Sequence, residues 1–135
     1  MNMGRHRFGA AKASYTTIDL SSRIEGATPH QLVAILFDEL LKALEAMEAA
    51  AARRDTARVA TCQSRALSVL FGLESSLDME RGGEIAQSLS SIYKEARRLT
   101  VQAGRDCDAN AIAKARGMIG EIVSAWSVIG AETGG

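Results

Sequence analysis

The sequence predicts an all-α fold: an antiparallel four-helix bundle with an additional short N-terminal helix. Three observations predict it. Pro29 is the single proline in 135 residues, so almost nothing interrupts helix propagation. Apolar residues recur at three- and four-residue spacing in four long stretches, and no window alternates with the two-residue period of a strand. The turns between the stretches are short, which makes consecutive helices antiparallel neighbours.

Residues 1–13 form a polar, basic arm, followed by a short amphipathic stretch with Tyr15, Ile18 and Leu20 near one side. Thr28-Pro29-His30-Gln31 is a helix start: Thr28 can cap, Pro29 suits the first helical position, and Gln31 completes a capping box. The helix that follows carries Leu32, Ile35, Leu36, Leu40, Leu44 and Met47 in register, with Val33, Phe37 and Leu41 widening the stripe. Ala49–Ala52 should add little packing before a turn at Arg53-Arg54-Asp55. Asp55 is placed to cap a second helix that buries Val59, Cys62, Ala66, Val69, Leu73 and Leu77, with Leu67, Leu70 and Phe71 again extending the stripe.

Asp78–Gly83 reads as a loop. A third helix then places Ile85, Leu89, Ile92, Tyr93, Ala96, Leu99 and Ala103 in register and stops at Gly104. Asp108 is placed to cap a last helix burying Ile112, Ala115, Ile119, Ile122, Trp126 and Ile129. The organisation is one helical domain over residues 14–130, between the arm and a frayed tail at 131–135.

Apolar residues make up 47% of the chain, enough for a core. Sixteen basic residues balance sixteen acidic ones, which argues against a nucleic-acid protein, where a basic excess is the rule. Arg5, Arg7 and Lys12 with Phe8 between them read as a solvated terminus. No apolar run follows the basic start, so no signal peptide is read. Leu32–Leu44 is interrupted by Asp38, Glu39 and Lys42 and cannot span a bilayer. A cytoplasmic protein without membrane insertion is the expectation.

Catalytic and metal-binding signals are weak. Cys62 and Cys107 lie far apart with no ligand-spaced histidine, and read as reduced thiols filling a core. Asp38 and Glu39 point about 100° apart on a helix and cannot grip one proton or metal. Asp106 and Asp108 lie in a turn, where capping accounts for them. Gly82-Gly83 lacks the preceding strand and the Lys-Ser/Thr of a phosphate loop. His30 raises the alternative of a phosphotransfer module, but has no lysine close by. A further alternative is a structural bundle that self-associates. No cofactor is indicated and the expectation is a non-enzyme. What remains is apolar excess: the widened stripes exceed what one bundle seam requires, and an unfilled apolar groove marks a partner site.

The run Leu32-Val33-Ala34-Ile35-Leu36-Phe37-Asp38 after Ala27-Thr28-Pro29, and the stretch Ser76-Leu77-Asp78-Met79-Glu80-Arg81-Gly82-Gly83-Glu84-Ile85-Ala86, together resemble the FliS-type flagellar export chaperones. Leu89 through Tyr93, Arg97-Arg98-Leu99, Gln102-Ala103, Asp108, Ala125-Trp126 and the upstream Ser14-Tyr15 follow in the family's order. Two departures stand out. Glu95 sits where the family often has a second tyrosine, and Gly104 replaces a usual asparagine.

The resemblance implies a cytoplasmic chaperone that binds the disordered C-terminal segment of flagellin in apolar grooves, prevents premature polymerisation and helps deliver cargo to the export gate. On this resemblance Tyr15 and Ile18 belong to a movable lid. Leu36, Phe37, Leu40, Leu41, Leu67, Leu70, Phe71, Leu89 and Tyr93 are then candidates for the groove or the core that supports it.

Overall fold

The computed structural model describes residues 24–133, with side chains to residue 128. Tyr15, Ile18 and most of the expected short N-terminal helix therefore lie outside the described residues, as does the side chain of Ile129. Four helices follow: α1 (Pro29–Ala52), α2 (Thr56–Ser75), α3 (Met79–Asp106) and α4 (Ala109–Thr133). Each starts on a residue able to satisfy its orphan amides. Thr28 accepts from Gln31 N while the Gln31 side chain accepts from Thr28 N, a complete capping box. Asp55 accepts from Arg58 N, Asp78 from Glu80 and Arg81 N, and Asp108 from Asn110 and Ala111 N.

The helices form a ring in which α1 packs on α2 and α4, and α3 packs on the same two. Cross-helix contacts fix the directions. Glu39 reaches Arg65, Gln63 reaches Thr100, Glu48 reaches Arg116 and His30 reaches Trp126. In α1 the contacts to α4 run from Trp126 back to Arg116 as numbers rise from His30 to Glu48, so the two are antiparallel. Short connections impose the same relation on the other neighbours, giving the expected bundle. No helix among the described residues is long and apolar enough to cross a membrane.

The core runs along the ring's axis. Leu40, Leu44 and Met47 of α1, Ala66, Leu70 and Leu73 of α2, Ala96 and Ala103 of α3, and Ile112, Ala115 and Ile119 of α4 are fully enclosed. Ala50 and Ala51 are buried too, correcting the expectation that Ala49–Ala52 adds little: small side chains let the end of α1 pack closely against its neighbours.

Two boundaries also differ from expectation. Asp78 caps a real helical turn, Met79–Gly82, which Gly83 breaks at φ 52°, ψ −129° before the long part of α3 begins. At the other end α3 runs past Gly104 to Asp106 and stops on Cys107 in the left-handed region. Gly104 has a packing reason instead. The Gln63 side chain of α2 lies where its Cβ would be, and donates to the Thr100 carbonyl at 3.1 Å.

Candidate apolar docking surface

The described residues hold no group of three or more His, Cys, Asp or Glu side chains able to hold a metal ion. The chemistry the fold offers is apolar surface. Phe71 of α2 is 70% exposed and Ile85 of α3 is 67% exposed, with Met79 and Val101 exposed to a lesser degree. These four lie on the α2–α3 hairpin, and only Ile24 and Val128 match them elsewhere among the described residues. Half-buried Leu67, Leu77, Leu89 and Ile92 of the same hairpin pack against the core. Helix α3 has a marked polar face, so apolar side chains outside its buried stripe are conspicuous.

The sequence candidates separate into three groups. Phe37, Leu40, Leu70 and Tyr93 are closed inside the core. Leu36, Leu41, Leu67 and Leu89 are half-buried at the rim of the core, Leu36 lying alongside Gly72 of α2. Phe71 alone is an open surface side chain. Ile85, expected inside, is exposed because the helix restarts after Gly83 with Ala86, not Ile85, on the buried stripe. Met79 and Val101 were not singled out by the sequence. Both fall outside the dominant apolar register, and that offset is the signal that identifies them.

Polar groups punctuate this surface. Glu74 Oε2 accepts from Arg97 Nη1 at 2.6 Å across the α2–α3 seam, while Glu74 Oε1 is buried without a partner. Glu95 and Arg98 form a two-pronged pair at 3.0 and 2.6 Å. The Arg98 hydrogen bonds hold the Glu95 carboxyl below its ordinary range. Charge here replaces the aromatic side chain that the family resemblance led us to expect.

Behind the hairpin lies an aromatic chain. The His30 and Trp126 rings stack at 4.6 Å, Trp126 meets Phe37 edge-on at 5.9 Å, and Phe37 meets Tyr93 at 6.4 Å. Trp126 Nε1 donates to the His30 carbonyl at 3.1 Å, and His30 Nε2 lies 3.0 Å from the Trp126 carbonyl oxygen. A carbonyl only accepts, so Nε2 carries the proton. This reciprocal latch ties the start of α1 to the end of α4. Burial among apolar neighbours pushes the Tyr93 phenol up to about 12.

Comparison with known proteins fits this architecture. The family model described as flagellar protein FliS matches residues 11–133. The chain is 34% identical to the flagellar secretion chaperone FliS of Salmonella typhimurium, over 86% of this chain and 87% of that protein. It is 30% identical to the FliS chaperone of Escherichia coli, over 87% and 88%. It is 26% identical to the flagellar secretion chaperone FliSB of Pseudomonas aeruginosa, over 88% and 94%.

Proposed function

The chain belongs to the FliS family of flagellar proteins, and from that premise we propose that it is a cytoplasmic secretion chaperone, not an enzyme, whose cargo is the C-terminal segment of flagellin. The observation that carries the reading is the set of exposed apolar side chains on the α2–α3 hairpin, Phe71, Met79, Ile85 and Val101, beside leucines half-buried against the core. An amphipathic segment that is disordered when free gains helix and buries its apolar face there. Ordering such a segment costs several kcal/mol. Each fully buried Leu or Phe returns roughly 1.5–3 kcal/mol, so several anchors are needed and the hairpin supplies them. Covering the flagellin segment prevents premature polymerisation, and the loaded complex is delivered to the export gate. Tyr15 and Ile18 are assigned to a lid over part of this surface.

The phosphotransfer alternative gains no support from the surroundings of its histidine. His30 is half-buried, its ring is stacked on Trp126 and its Nε2 is engaged by a backbone carbonyl, a setting that a packing role for the ring explains.

Calorimetric titration with a peptide spanning a flagellin C-terminus, followed by circular dichroism, tests the proposal. Saturable one-to-one binding with a negative heat-capacity change and a gain in helicity is expected. A folded protein that ignores the cognate peptide, and scatters light as a self-associated species, would replace this reading with that of a structural bundle.

A further inference from the structure

The end of the bundle opposite the aromatic latch carries a different kind of surface. The α1–α2 turn and the α3–α4 turn both lie there, because all neighbouring helices are antiparallel. Four exposed arginines gather at this end: Arg53 and Arg54 in the first turn, Arg58 one turn into α2, and Arg105 in the last turn of α3. The Gln63–Thr100 hydrogen bond puts Arg58 and Arg105 at the same level, each five residues further toward the end. Among the described residues none of the four guanidiniums has a carboxylate within ion-pair distance. Three carboxylates share this end, Asp55, Asp106 and Asp108, the first and last hydrogen-bonded to helix amides, so the four guanidiniums keep a small positive excess.

Arg54 adds an independent observation. It adopts φ 57°, the left-handed position that closes a helix and that glycine fills without strain. Arg54 N donates to the Ala51 carbonyl and Asp55 N to the Ala50 carbonyl, the full motif. Keeping a guanidinium at a glycine position costs stability, and strain of this kind collects where a side chain is used.

We propose that this arginine end is a peripheral docking surface for an anionic phospholipid bilayer. Guanidinium forks match phosphate geometry, and each basic side chain at a membrane surface adds attraction that falls off within a Debye length. A protein interface sets its arginines among aromatic and other apolar anchors in a desolvated centre. This end has none: the nearest exposed large apolar side chain in sequence is Val101, a turn back from Arg105. Among the described residues the opposite end carries Glu25, Asp78, Glu80 and Glu84 against Arg81. The described residues are polarised along the bundle, which favours the arginine end inward and the Met79–Ile85 end outward at an anionic surface. The inference goes beyond the chaperone reading and does not depend on flagellin.

Sedimentation of the full chain with vesicles of equal parts phosphatidylglycerol and phosphatidylcholine tests it. Binding is expected at about 50 mM salt, to be lost near 300 mM and to be absent with pure phosphatidylcholine. Combining R53Q, R54Q, R58Q and R105Q should weaken vesicle binding at least about tenfold while flagellin-peptide titration is unchanged, which separates this outcome from failure of the chaperone reading. R54G alone should lower vesicle affinity roughly fivefold with Tm held or raised, a combination that a purely structural arginine would not give. Loss of binding in an R5Q/R7Q/K12Q variant, with full retention in the four-arginine variant, would overturn the proposal in favour of the arm. Binding to polyglutamate but not to vesicles would overturn it in favour of an acidic protein partner.

Discussion

Leu70 and Phe71 are chain neighbours with opposite environments: Leu70 is fully enclosed and Phe71 is 70% exposed. Both belong to the widened stripe of α2, and a 3.6-residue period cannot say which edge of a wide stripe turns inward. The packing of α1 and α3 against α2 decides it. Leu70→Ala is therefore expected to cost about 2–5 kcal/mol in urea unfolding. Phe71→Ala should stay within about 0.5 kcal/mol of the parent while weakening flagellin-peptide binding; unchanged binding would remove Phe71 from the surface. Tyr93 carries a pH signature. Its phenol is pushed up to about 12 in the folded chain, against about 10 unfolded, so burial favours the neutral form. That contribution is intact below pH 10 and is lost as pH rises through 12, by roughly 2–3 kcal/mol. Tyr93→Phe should flatten this part of the stability profile relative to the parent; equal alkaline slopes in the two proteins would contradict the burial argument.

At the scale of elements, the helices and their capped starts were legible because caps are local. Thr28 with Gln31, Asp55 and Asp108 each sit within three residues of the amides they serve. Helix ends were less legible, since glycine is only one way to stop. Gly104 looked like a terminator, yet it is the place where Gln63 crosses α3, and Cys107 takes the left-handed position instead. Ile85 departs from its expected buried position for a related reason. The kink at Gly83 resets the register, so that Ala86 faces inward and Ile85 faces water. The kink itself yields a prediction. Gly83 sits at φ 52°, ψ −129° with no atom near its missing Cβ, so the obstacle to Gly83→Ala is backbone strain rather than crowding. A loss of about 1–3 kcal/mol is expected, together with weaker flagellin-peptide binding because Ile85 moves with the helix start. A variant as stable as the parent would mean that the turn relaxes freely.

For the whole molecule, a partner resting on a formed surface and a partner prising the bundle apart make opposite demands. Opening the ring would expose Phe37, Leu40, Leu70 and Tyr93, all now enclosed. At roughly 1.5–3 kcal/mol for each such side chain, that would consume most of what an incoming apolar segment returns. The cheaper route leaves the core closed and uses side chains already in water on the α2–α3 hairpin. The division of the sequence candidates follows from the same balance: they share one apolar chemistry, and only the closed ring decides which of them reach solvent. Hydrogen exchange tells the two routes apart. With saturating flagellin peptide, amides around Leu40–Met47 and Ile112–Ile119 should exchange as slowly as in the free chain, or more slowly as binding adds to global stability. New protection should fall between Leu67 and Val101. Faster exchange in α1 or α4 on binding would mean that the bundle opens, and that Phe37 and Leu70 are contact residues after all.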